Sequence, residues 1–258
     1  MEYQTITYEI TDGLAVVTLN RPDKMNALTS QMRAEIAYAM KDAGANARAA
    51  VLTGAGGAFC TGQDLSDASS AGDLDLERTL RDEYLPMLEA VYDCPVPTIS
   101  AVNGPAAGAG ANLALAADVV IAAESAYFLQ AFARIGLMPD AGGTWFLPHK
   151  VGLAKAMGAA LFADKISARQ ADEWGMIWEV VADDAFDAHW RKRAAYLASG
   201  PSKAFGAIKS SIRGAFGATL PDQLLTEAHL QGELGRSRDF MEGVSSFLEK
   251  RPAKFEGR

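Results

Sequence analysis

Short apolar runs of strand length recur through the first half of the chain, several closed by a glycine-containing loop and then a helical pattern, which leaves few ways to fold it. Ala49–Thr53 precedes the loop Gly54–Gly57. Thr98–Val102 precedes the loop Asn103–Gly108, a helical stretch over Ala109–Ala117 and a further strand at Val119–Ala122. Alternation of this kind belongs to α/β proteins. The chain opens with a hairpin pattern: Tyr3–Ile10, the turn pair Asp12-Gly13, then Leu14–Leu19. Ser30 begins a helix with Met32, Ile36 and Met40 on one face, and Leu74–Tyr92 reads as helical until Pro95 and Pro97. No fixed-period repeat accompanies this theme.

Beyond residue 145 strands become scarce. Ser167 and Gln170 form a capping-box signature for a short helix through Trp174, and Glu179–Val181 is a last brief strand. Four helical patterns follow, over about 185–199, 202–214, 220–236 and 239–250. The expectation is a core domain over 1–199 and a helical region over 200–258 that serves assembly. The 48 Ala and 24 Gly agree with closely packed backbones and with ligand contacts made by the main chain.

Composition removes several classes of function. Charged residues make up 22% and apolar ones 49%, which suits a packed globule rather than a disordered chain. The net charge of −8, with no basic stripe, argues against nucleic-acid binding. No apolar run is long enough for a transmembrane helix, and Met1-Glu2-Tyr3-Gln4 does not start a signal peptide. Cys60 and Cys94 are too few for a disulfide framework, and His149, His189 and His229 are too scattered for a metal site. A cytoplasmic protein without membrane, nucleic-acid or metal partners is expected.

Three stretches have the makings of chemistry. In Gly57–Leu65, Gly62 permits an unusual turn just before Gln63, which would free a backbone N–H for a ligand. In Asn103–Ala111 a strand passes into a helix, whose first N–H groups lack internal partners and suit a phosphate or an oxyanion. The same stretch read as a dinucleotide fingerprint fails, because Leu113 stands where the third glycine belongs and Glu124 comes too early for the ribose. In Leu137–Trp145, Asp140 precedes Gly142 and Gly143. It has two readings: a helix N-cap bonded to those amides, or a proton-transfer group whose pKa is lifted by burial among Met138, Trp145 and Phe146.

Together the motifs Phe59–Leu65, Ala107-Gly108-Ala109-Gly110 and Pro139–Thr144 resemble those of the enoyl-CoA hydratase/isomerase (crotonase) superfamily. The similarity runs from Asn20-Arg21-Pro22 and Asn26-Ala27-Leu28 to Lys250-Arg251-Pro252. The resemblance implies a spiral of strand-strand-helix turns with a helical C-terminal region, assembled as a homotrimer or a dimer of trimers. It implies an acyl-CoA thioester substrate with no separate cofactor. The thioester oxygen would be held by the backbone N–H groups of Gln63 and Ala109, so side-chain replacement at Gln63 should do little if only its N–H works. Lys24, Ala27, Leu28, Asp64 and Leu65 would border the CoA.

The departures from the family pattern narrow the activity. Family hydratases place two water-activating glutamates where this chain has Asn112 and Phe132. Neither replacement is a general acid or base. Asp140 is the acid that remains, and one carboxylate above an enolate suits moving a proton between carbons. Ala106–Ala111, Leu137–Asp140, Gly143–Trp145 and Glu173–Trp178 further resemble the branch of the family that isomerises ring-1,2-epoxyphenylacetyl-CoA in phenylacetate breakdown. An isomerase of that epoxide, or of 3-enoyl-CoA to 2-enoyl-CoA, is therefore expected, with Phe132 and Trp145 shaping the acyl pocket. The alternatives are an enoyl-CoA hydratase with a non-standard acid and a catalytically silent acyl-CoA-binding protein. Arg251 and Lys254 are candidates to meet the CoA phosphates.

Overall fold

A computed structural model describes residues 2–64 and 75–257. Strands β1 (Ile6–Thr11) and β2 (Leu14–Leu19) form the expected hairpin, with Ile6 opposite Leu19 and Thr11 opposite Leu14. Asp12 and Gly13 both take positive φ, as a two-residue hairpin turn of this twist requires. Helix α1 (Ser30–Asn46) starts where Thr29 Oγ1 accepts the Met32 N–H at 3.2 Å, and it buries Met32, Ile36 and Met40 as the periodicity predicts. It crosses to β3 (Ala49–Gly54), parallel to β2. From Leu76 onward the described part of the next crossover is helical: α2 (Leu76–Thr79), a π-helical turn (Leu80–Tyr84) and α3 (Leu85–Tyr92). It leads to β4 (Thr98–Val102).

Between strands of the large sheet the chain lays down a second, smaller layer. Leu28 bridges Gln63, and Cys60 bridges Ala106, both in parallel. The two-residue β5 (Ala106–Ala107) runs parallel to β7 (Tyr127–Leu129), which pairs antiparallel with β8 (Ile166–Ser167). Helix α4 (Ala109–Leu115) follows β5, and β6 (Val119–Ala123) and β9 (Glu179–Val181) return to the large sheet. The six-stranded order is β1-β2-β3-β4-β6-β9. Each turn thus gives one strand to each layer and then a helix, which is the expected strand-strand-helix spiral. The small-layer segments read as loops in the sequence, because two or three residues are too few to show a period. Every residue of α4 is buried, and Ala109, Ala111 and Ala114 keep it slender enough to lie inside the core.

The second half is helical, as the pattern indicates. Helix α5 (Gly143–Phe162) is kinked at Gly152, and α6 (Ala168–Glu173) is capped by Ser167 Oγ, which accepts the Gln170 N–H. Helices α7 (Asp183–Ser199), α8 (Ser202–Gly214), α9 (Leu220–Leu234) and α10 (Arg238–Glu249) complete the chain. Helix α8 is fastened to the core by charge. Asp118 accepts from Lys209 at 2.9 Å and Arg213 at 2.7 Å, and also from the Thr98 N–H and hydroxyl. Lys209 also donates to the Cys94 carbonyl, and Arg213 to that of Tyr92. Removing one partner of a largely buried ion pair leaves the others uncompensated. Asp118→Ala is therefore expected to destabilise the protein by about 3 kcal/mol in urea unfolding.

Candidate active site

The site begins as a backbone contact. A Cβ on Gly62 would stand 2.9 Å from the Ala107 carbonyl oxygen and 3.5 Å from the Ala109 nitrogen; one on Gly110 would stand 2.2 Å from the Cys60 carbonyl oxygen. Gly62 and Gly108 take φ of +94° and +53°, which side chains rarely adopt. Glycine therefore lets the Cys60–Gln63 loop and the start of α4 meet main chain to main chain. Leu28 donates to the Gly62 carbonyl at 2.7 Å and accepts from the Asp64 N–H at 3.0 Å. Gln63, between them, directs its own N–H away from Leu28. Ala109 is the first residue of α4, where an N–H has no helical partner. Neither the Gln63 nor the Ala109 N–H is partnered among the described residues. Two unpartnered backbone donors on touching loops suit an oxygen that gains negative charge.

Asp140 faces a different constraint. Ala141 and Gly142 have φ of 48° and 80°, and Gly142 caps α5 without a side-chain bond. The Gly143 N–H goes to the main-chain oxygen of Asp140 at 2.8 Å. The helix-cap reading of the Asp140 carboxylate is thereby corrected: the turn is closed by backbone, and the side chain is left over. Asp140 Oδ1 is buried without a hydrogen-bond partner among the described residues. Burial pushes the carboxyl up to about 6.

Asn112 is fully buried and holds this turn. Its Nδ2 donates to the Asp140 carbonyl at 2.7 Å, and its Oδ1 accepts from Gln130 Nε2 at 2.8 Å. A Cβ on Gly143 would stand 2.4 Å from Asn112 Nδ2, so the amide fills the space beneath α5. Gln130 gave no sequence signal beyond standing at the end of an apolar strand.

The other expected site residues divide. Phe132 is buried close to Gly108, 3.8 Å from where a Cβ would be. Trp145 lines a cavity of about 430 Å³ with Tyr92, Phe146, His149 and Phe216, and Phe132 is not part of that lining. Trp145 stacks on His149 at 4.3 Å and meets Tyr92 edge-on at 5.5 Å. Lys24 is exposed at the end of a 3-10 turn, and the Ala27 carbonyl accepts from Arg21. Leu28 is wholly buried, and its backbone bonds the chain on either side of Gln63. Asp64 is buried and paired with Arg21 at 2.8 Å, so it would border CoA as a neutralised group. Leu65 lies outside the described residues.

Two of the expected side chains have partners within the chain. The Gln63 side chain is not idle, because its Oε1 accepts from Tyr84 Oη at 2.6 Å and Arg33 Nη1 at 2.9 Å. Arg251 is held by Glu242 and Glu249 at 2.6 Å each and does not offer an open cation to a phosphate. Glu124 is taken by Arg169, and burial pushes the Cys60 thiol up to about 12, out of reach as a nucleophile. Among the described residues no group of three or more His, Cys, Asp and Glu could hold a metal ion. Arg33 was missed, yet it stands three residues before Ile36 and seven before Met40, on the face the periodicity marks as buried.

The raised carboxyl has a thermodynamic consequence. A folded pKa above the unfolded value favours the protonated native state, so the ionised carboxylate costs stability above about pH 6. Asp140→Asn is expected to raise stability by about 1–2 kcal/mol at pH 8, after discounting for solvent screening. The gain should fade below pH 6, as chemical denaturation at both pH values will show.

Residues 9–258 match the model of the family described as enoyl-CoA hydratase/isomerase. A Rhodobacter capsulatus protein named "Probable enoyl-CoA hydratase" is 62% identical over 258 residues, covering 100% of both chains. The Escherichia coli protein named 1,2-epoxyphenylacetyl-CoA isomerase is 44% identical, covering 98% of each. The crystal structure of an enoyl-CoA hydratase from Bacillus anthracis superposes with a TM-score of 0.91 at 30% identity, covering 99% of this chain and all of that one. A crystallised enoyl-CoA hydratase/isomerase homologue from Mycobacterium abscessus gives 0.94 at 38%, covering 98% of this chain and 100% of the other. By sequence and by fold, the chain belongs to the enoyl-CoA hydratase/isomerase family.

Proposed function

We propose that the protein is an acyl-CoA isomerase working through a thioester enolate, with Asp140 as the proton carrier and the N–H groups of Gln63 and Ala109 as oxyanion donors. The observation that carries this reading is the buried, unpartnered Oδ1 of Asp140, on a carboxyl pushed up to about 6. A base of that strength is ionised at neutral pH and still returns its proton readily. With a 3-enoyl-CoA, Asp140 removes a proton from the carbon beside the thioester. The enolate oxygen accepts from the two N–H groups, and the same proton is delivered to the far end of the conjugated system. No atom is gained or lost. The epoxide of phenylacetyl-CoA offers the same acidic position beside the thioester, and the identity to the Escherichia coli isomerase supports it as a substrate.

Hydration is the second reading, supported by the name of the Rhodobacter capsulatus relative. Against it stands Asn112, which has committed both ends of its amide to Asp140 and Gln130 and supplies no base for water. Phe132 replaces the other carboxylate with a buried ring. We further propose assembly as a trimer or a pair of trimers, supported by the exposed Leu220, Leu225, Met241, Phe247 and Leu248 on α9 and α10, and measurable by light scattering.

Incubation with a 3-enoyl-CoA should yield the 2-enoyl isomer at unchanged mass. A product heavier by one water would refute the isomerase reading. Asp140→Asn should lower kcat by at least a thousandfold and leave Kd for a saturated acyl-CoA within about twofold. Because the base must be ionised, kcat/KM should rise with pH through an apparent pKa of about 6. A flat profile from pH 5 to 8 would exclude Asp140 as that base.

A further inference from the structure

Behind the Gln63 donor lies a buried polar cluster drawn from three separate elements. Arg33, from α1, is 1% exposed. Its guanidinium donates to Glu83 from Nε at 3.0 Å and Nη2 at 2.5 Å, to Ser30 Oγ at 3.1 Å, to the Leu28 carbonyl at 3.2 Å, and to Gln63 Oε1 at 2.9 Å. The charge also sits 4.7 Å from the centre of the Tyr84 ring. Glu83 and Tyr84 are consecutive residues at the end of the π-helical turn, a distortion often found at functional sites. Tyr84 accepts from Arg33 at 3.5 Å and donates to Gln63 Oε1 at 2.6 Å.

We infer that Arg33 and Tyr84 are positioning residues for the oxyanion hole, fixing the Gln63 backbone N–H by gripping its side chain; this rests on the proposed enolate chemistry. Arg33 can only donate, so the atom it meets on Gln63 must be the oxygen. Two donors on that oxygen fix the amide from one side. Arg33 also donates to the carbonyl of Leu28, which accepts the Asp64 N–H and so anchors the chain just beyond Gln63. One guanidinium therefore restrains Gln63 through its side chain and through the adjoining backbone. The donor that matters to chemistry is a main-chain group on a glycine-flanked loop, which has little stiffness of its own. Small misplacement of such a donor is costly in rate, because its strength depends on alignment with the developing charge.

The test reads the hole directly. A saturated acyl-CoA carrying ¹³C at the thioester carbonyl is bound to the unmodified protein, to Gln63→Leu and to Tyr84→Phe, and its carbonyl stretch is followed by infrared difference spectroscopy. Gln63→Leu keeps the backbone N–H and removes only the gripped oxygen. The expected result is a clear downward shift in the unmodified protein, reduced by half or more in Gln63→Leu and by less in Tyr84→Phe. Isomerase kcat should fall about ten- to a hundredfold in Gln63→Leu with KM within about twofold. An undiminished shift in Gln63→Leu overturns the inference, even if kcat falls, because the side chain then acts elsewhere. Absence of any shift in the unmodified protein overturns the oxyanion reading itself and the inference with it.

Discussion

Everything at the site depends on backbone approaching backbone. Successive turns of the spiral are laid side by side so tightly that a single added carbon at Gly62, Gly104 or Gly110 would overlap a carbonyl of the neighbouring turn. Side chains usually set the spacing between elements of a fold, but here they are absent at the points of closest approach. That closeness brings two segments more than forty residues apart, each with an unpartnered N–H among the described residues, into backbone contact. It also explains why α4 is built from Ala, Gly and Leu around one buried amide, since a bulkier helix could not thread between the layers.

The Asp140 turn is held from below by a single buried amide. Asn112 accepts a hydrogen bond from Gln130 and passes one on to the Asp140 carbonyl. An ionised glutamate cannot donate, so it could not hold this turn in the same way. The carbonyl of Asp140 is thus engaged twice, while its side-chain Oδ1 is without a partner among the described residues. Burial then pushes the carboxyl up to about 6.

Much of this was legible in the sequence, and the failures have physical causes. The hairpin, α1, β3, β4 and the four late helices followed from period and punctuation, because each is long enough to show a pattern. The strands β5, β7 and β8 escaped, since two or three residues carry no period. The donors at Gln63 and Ala109 could be suspected from glycine spacing, as backbone geometry leaves that trace. Asp140 was seen but its cap reading failed, because Gly142 in the left-handed conformation turned the chain without help from a side chain. The grip of Arg33 and Tyr84 on Gln63 joins residues thirty and twenty-one positions away, and no local pattern reports contacts of that kind.

The π-helical turn between α2 and α3 places Glu83 and Tyr84 on one buried cluster through a single extra residue in the helical winding. An α-helix advances about 100° per residue, so losing that residue would rotate everything before it relative to α3. Leu85–Tyr92 could keep its packing, while Glu83 and Tyr84 could not both keep theirs. The length of this segment is thus under tighter constraint than its composition. Among related chains, substitutions between Leu76 and Leu80 should be far commoner than single-residue deletions within Leu80–Tyr84.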